Sequence, residues 1–303
     1  EKKDEKKDEK KDEKKHEKKD KKEDEDGAEA GEKEKDAPKD PRPRMKETVA
    51  FNPLDTTLNV VPALGGKVLM ALSEGGMQYL IAGARANVGM KAGRYMYEVK
   101  IIEALNPAES SGGQRGRVPM PRQLVRLGFS TSSSPLLLGE GSESAYFDSE
   151  GFYVTGKNKK TAASQRFTRD QIITVLLNLD PKSPNANTMS LFREGERIAE
   201  PQPLPEHLHG KTLYPHVAFR SVTVQMLFGP QSAKALPFKC TMLQSAAQAD
   251  VAPAPAQEPK DGKYEVMLPV AFPDEGTFDW LDSFLEAHPF HVELSDRKIL
   301  EWA

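Results

Sequence analysis

The sequence predicts a mostly β chain: an antiparallel β-sandwich, with a disordered charged tail before it and a partial α/β segment after it. Three observations carry this expectation. Residues 1–26 are almost entirely charged, in tandem copies of EKKD. From about Glu47 to Gln231, apolar runs of strand length follow one another, separated by turn signals and with few helical patterns between them. Residues 263–303 change pattern again, reading as strand, turn and helix.

The tail comes first. Lysine and acid nearly balance in it, which makes it a polyampholyte. A free-standing charged helix gains from Glu to Lys pairs four residues apart. A repeat of four places like charge on like charge at that spacing, so residues 1–46 read as a solvated, disordered tail ending in KDAPKDPRPR.

The sandwich spans 47–231. In RYMYEVKIIE, Tyr95, Tyr97, Val99 and Ile101 share one face. In QLVRLGFS, Val125, Leu127 and Phe129 share one face and Arg126 takes the other. Residues 172–180, IITVLLNLD, are nearly all apolar, as a buried central strand would be. TMSLFR lies between two turns, and VTVQMLF alternates again. The polar insertion at 104–121 is long enough to be functional or disordered. Residues 232–262 hold Ala-Pro repeats and read as a linker. The last segment, 263–303, is too short to bury a core alone and reads as the start of a larger α/β domain, with Ser295 capping a final helix.

Bulk properties narrow the function. The 303 residues carry a net charge of -3 and one cysteine, Cys240, so no internal disulfide is possible and a reducing compartment is the simpler expectation. No apolar run reaches the roughly 18–20 residues of a membrane span, so no membrane partner is expected. The chain begins at Glu1 and stops inside a helical pattern, so both ends read as cut.

Residue by residue, the sequence offers little chemistry, and neither cofactor nor metal is expected. His207 and His209 could share a metal, yet nothing nearby completes a ligand set. His216 and Cys240 read as structural. No serine sits in a G-x-S-x-G elbow. GQRGR at 113–117 and the lysines of TGKNKKT read as solvated loops.

Three motifs occur in order: GARANVGMKAGRYMYEVKI, VRLGFSTSSSPLLLGEG and LYPHVAFRSVTVQMLFGPQ. Together they resemble SPRY (B30.2-like) domains, most closely those of the heterogeneous nuclear ribonucleoprotein U family. The resemblance covers 47–231, and Phe129 stands where that family usually has tryptophan. It implies a non-enzymatic protein-interaction module that binds a protein or peptide with loops at one edge. It also implies a nuclear setting and RNA or ribonucleoprotein partners. The implied binding residues are Arg85 and Asn87 in one loop, Arg126 on its strand, and Ser130, Thr131 and Glu140 in the 130–143 loop. A guanidinium suits a carboxylate partner; the other reading of Arg126 is a structural pair with Glu140 or Glu143. Other SPRY proteins are adaptor subunits of chromatin-modifying or ubiquitin-ligase complexes, which is the alternative reading.

In the ribonucleoprotein U family a kinase-like phosphate-loop domain follows the SPRY domain. Laid on that loop without gaps, PVAFPDEGTFDW places Pro273, Gly276 and Trp280 on family anchors. Thr277 then stands where the phosphate-binding lysine belongs, and Phe278 where the magnesium-binding hydroxyl belongs. Asp274, Glu275 and Asp279 add negative charge, each worth roughly 3–4 kcal/mol of repulsion toward a phosphate at about 4–6 Å. The segment therefore reads as a degenerate phosphate loop, and a nucleotide-dependent enzyme is the least favoured reading.

Overall fold

The computed structural model describes residues 34–38, 40–106, 121–156, 159–255 and 277–292. The charged repeat, most of the 104–121 insertion, Pro273, Gly276 and Ser295 lie outside the described residues. The described residues from 36 onward belong to one compact unit.

Two antiparallel sheets form the sandwich. The first contains β1 (Phe51–Thr56), β4 (Ala82–Ala86), β7 (Leu124–Ser130), β8 (Ser144–Asp148), β9 (Phe152–Thr155), β10 (Lys159–Ala162) and β14 (Tyr214–Arg220), in the order β1-β4-β14-β7-β8-β9-β10. The second contains β2 (Val60–Ala63), β3 (Val68–Ala71), β6 (Gly93–Ala104), β11 (Ile172–Leu179), β12 (Thr188–Arg193), β13 (Glu196–Pro203) and β15 (Val222–Leu227), in the order β13-β12-β11-β6-β15-β3-β2. A short β5 (Val88–Met90) pairs outside these sheets with β17 (Val251–Pro253). The alternation expected from the sequence places Val125, Leu127, Phe129, Tyr97, Val99 and Ile101 in the core between the sheets. Tyr97 meets Phe129 edge-on at 5.5 Å, so phenylalanine fills this core position by aromatic packing.

The outer faces of both sheets are also covered, and here the expected boundaries need correction. Residues 36–46 were expected in the tail and 232–262 in the linker, yet 36–46 and 232–255 belong to the folded unit. Phe238 and Met242 pack with Met96, Leu176 and Phe192 on the outer face of the second sheet, with half-buried Cys240 beside them. β16 (Thr241–Met242) pairs with β6 at Tyr95 and Met96, on the edge that β15 leaves open. The buried Glu98 carboxylate accepts from the amides of Ala233 (2.6 Å) and Lys234 (3.1 Å). The chain before the sandwich is held by the chain after it. Arg42 makes two 2.7 Å bonds to Asp250, whose carboxylate also accepts from the Tyr95 hydroxyl at 2.6 Å. Gln244 accepts from the Val49 amide and donates to the Glu47 carbonyl, both at 2.9 Å. Alanine and proline here make extended backbone that packs, rather than a free spacer.

The expected helix after the phosphate-loop register is present as α1 (Thr277–Ala287), with Thr277 and Phe278 in its first turn. Among the described residues no helix is long and apolar enough to cross a membrane.

Candidate functional site

On the first sheet, the residues that alternate with the core positions point away from it. Arg85 on β4, His216 on β14 and Arg126 on β7 stand on this outer face, where β14 lies between β4 and β7. The loop 131–143 folds back over them. Arg85 donates to the carbonyls of Ser132 and Ser134. His216 Nε2 donates to the Leu136 carbonyl at 2.9 Å, and Arg126 donates to the Leu138 carbonyl. Side chains from three neighbouring strands thus hold four alternate carbonyls of one extended loop. Gly83, on the same face of β4, leaves the room this requires, because a Cβ there would overlap the Leu136 carbonyl. Leu138 then seals the loop down, packing with Tyr146, Val154 and Ala218.

The electrostatics suit a structural role. Arg85 is only 1% exposed, and Asp55 lies 3.5 Å from its guanidinium. Burial pulls the Arg85 guanidinium down and pushes the Asp55 carboxyl up, and each opposes the shift of the other. Burial, then the Arg85 charge, pushes His216 down to about 3, against the opposing bond to Leu136. His216 is therefore neutral, with its proton on Nε2 and its Nδ1 accepting from the Ser130 hydroxyl at 2.8 Å. A serine-histidine bond is the first step toward a nucleophile pair. Here both residues are fully buried, and Nε2 is committed to a carbonyl.

The expected binding residues separate accordingly. Arg85 was expected in a loop and is instead a buried strand residue that ties down another loop. Asn87 accepts from the Ala50 amide (2.9 Å) and donates to the Thr48 carbonyl (3.0 Å), so it fastens the incoming chain. Arg126 pairs with neither Glu140 nor Glu143: it takes the Leu138 carbonyl and lies over the Tyr146 ring at 5.4 Å. Glu143 instead bonds Lys211 at 2.6 Å. Ser130 and Thr131 are buried, Thr131 beside Ser133 at 3.2 Å. Glu140 alone of the six is exposed.

Glu140 stands on the rim of a groove of about 340 Å³. One wall is the end of β1 with Leu54 and the β1–β2 turn with Leu58. The floor includes Leu80 and Ile81, and the other wall is the pinned loop, with Leu136 and Leu137. Leu54 is 44% exposed and Leu58 46%, so the lining is apolar and open to solvent. Arg85 braces both walls, since Asp55 belongs to the end of β1 that leads into the turn and Ser132 and Ser134 to the loop. Thr57 and Asn59 fix the turn further: Thr57 Oγ1 donates to Asn59 Oδ1 at 2.7 Å, and Asn59 donates to the Ile81 carbonyl at 3.2 Å. The sequence expectation did not include these leucines. The signal was there in SPLLL, three consecutive leucines inside a polar loop.

Among the described residues, groups suited to metal chemistry do not assemble. His207 bonds the Ser142 carbonyl and His209 the Leu204 carbonyl, so the pair is divided between two backbone acceptors. Among the described residues no group of three or more His, Cys, Asp or Glu side chains could hold a metal ion.

No family model matches the chain. Among solved structures, it is similar to the SPRY domain of human HERC1, with 20% identity over 59% of this chain and 97% of that one, at a TM-score of 0.42. It is also similar to another human SPRY domain, with 14% identity over 57% and 98% of the two chains at a TM-score of 0.40. The TRIM65 PSpry domain is similar at 14% identity over 60% and 90% at a TM-score of 0.39.

Proposed function

We propose that this chain is a non-catalytic SPRY-type interaction module, and that the groove between the β1–β2 turn and the 131–143 loop receives a protein or peptide partner. The observation that carries this reading is the groove itself. It sets half-exposed leucines on walls that a buried Arg85–Asp55 bridge holds in place. A rigid apolar cleft with one acidic group on its rim suits an apolar peptide segment, because little ordering cost opposes its burial. The buried Ser130–His216 bond and the divided histidines support a role without catalysis.

The nuclear, ribonucleoprotein-associated setting is part of this reading and rests on the three ordered sequence motifs. So does the treatment of 263–303 as a degenerate phosphate-loop segment, with Pro273, Gly276, Thr277 and Phe278 at the altered positions.

A photo-crosslinking residue placed at Leu137 tests the partner reading in cells, with Lys182, in an exposed turn, as the control position. The reading expects discrete protein adducts from position 137 that are absent from 182. Identical adducts from both positions, or none from 137, would refute it.

A further inference from the structure

The groove has one lining residue from far along the chain, Val292. It is delivered by a compact turn. The His288 amide donates to the Leu285 carbonyl at 3.3 Å as α1 ends, and the His291 amide donates to the His288 carbonyl at 3.0 Å. The Phe284 ring stacks on His288 at 4.1 Å and meets His291 edge-on at 5.0 Å. His288 Nδ1 bonds the Phe284 carbonyl at 2.8 Å. With these rings turned onto one another, the turn presents Phe290 and Val292 outward, 46% and 49% exposed.

We propose that the turn at 288–292 is a ligand of the groove carried by the chain itself, seated through Val292 and competing with an external partner. The inference rests on the reading of the groove as a partner site. It names the ligand class that site takes: a short, turn-forming apolar segment with a β-branched residue just after the turn. Such a residue loses little rotamer freedom when held, and the apolar surface it touches loses contact with water. Tethering on one chain supplies an effective concentration on the order of millimolar, so a contact with a dissociation constant of about 0.1 mM is occupied roughly nine-tenths of the time. The partner therefore meets a groove that Val292 occupies in part, with Leu54 and Leu58 still 44% and 46% exposed.

The test uses the full chain and a labelled synthetic peptide, FLEAHPFHV, identical to residues 284–292. Fluorescence polarisation compares the native chain, Val292→Asp, and Val292→Asp with Leu58→Asp. Freeing the groove is expected to strengthen peptide binding about tenfold, and Leu58→Asp to abolish that gain. Amide exchange at 54–59 and 136–140 is expected to rise in Val292→Asp while the sheets remain protected. Equal peptide binding by the native chain and Val292→Asp would overturn the proposal, as would binding that survives Leu58→Asp. If Val292→Asp binds no peptide yet still forms adducts from position 137, the internal ligand is refuted and the partner site stands. If those adducts are absent too, the partner reading falls with it.

Discussion

Arg85 and His216 are cross-strand partners on β4 and β14, and together they hold the carbonyls of Ser132, Ser134 and Leu136 in a single loop. An interior arginine and a neutral interior histidine thus do for backbone what a further strand would otherwise do. Much of the cost of burying their polar atoms is offset by bonds to carbonyls that the loop would also have to satisfy, while Arg85 Nε is buried without an acceptor among the described residues. The result is a loop rigid enough to serve as a wall.

Removal of the Arg85 guanidinium leaves Asp55 buried without its ion pair and two carbonyls without donors. Arg85→Met is expected to destabilise the domain by about 3–5 kcal/mol. Arg85→Lys is expected to recover only part of this, because an ammonium lacks the planar fork that reaches two carbonyls. Urea unfolding of the three proteins measures both effects.

His216 gives the stability a pH signature. Its folded pKa is near 3 and its ordinary value 6.5. Between those values the unfolded chain binds a proton that the folded chain rejects, so this contribution falls as pH drops through that window. The slope is at most about 1.4 kcal/mol per pH unit. Asp55 and Asp148, with carboxyls raised by burial, act in the opposite sense at the acid end. The difference between the native chain and His216→Gln isolates the histidine. The native chain is expected to lose stability more steeply between pH 6.5 and 4, as read by urea midpoints.

Gly83→Ala tests the packing of loop on sheet. The added methyl would occupy the space of the Leu136 carbonyl, and the loop must lift. Overpacking of this kind costs about 1–3 kcal/mol. Increased proteolysis is expected within 131–143 before the sheets are cleaved.

The boundaries give a fourth expectation. A fragment of residues 36–255 retains the Arg42–Asp250–Tyr95 cluster and the cover over Met96, Leu176 and Phe192. It is expected to unfold cooperatively, whereas a 47–231 fragment, lacking both, is expected to aggregate or bind hydrophobic dyes. In the full chain, Asp250→Ala leaves the buried Tyr95 hydroxyl without its acceptor and is expected to cost about 1–3 kcal/mol. Thermal melts decide both points.

The two-sheet fold and the facing of its strands were legible because period-two alternation survives in single strands: Val125, Leu127 and Phe129 against Arg126. The destination of Arg126 was not, since its acceptor is the carbonyl of Leu138, and carbonyls carry no sequence signal. For the same reason Arg85 read as a binding residue. Residues 232–255 read as a linker because alanine and proline dominate it. Its anchors, Phe238, Met242, Leu243 and Val251, are too widely spaced to show a period. Of the six expected contact residues only Glu140 reaches the groove. Most of the other groove residues are apolar, Leu54, Leu58, Leu80, Ile81, Leu136 and Leu137 among them, and composition alone assigns such residues to the core.

Whether the groove receives a partner is decided by Leu58→Asp in a chain that carries the photo-crosslinking residue at 137. The two positions face one groove from opposite walls. Adducts are expected to fall at least about tenfold, as when a charge replaces a central apolar contact, while the melting temperature stays within a few degrees. Undiminished adducts from a folded Leu58→Asp chain would contradict a partner site in the groove.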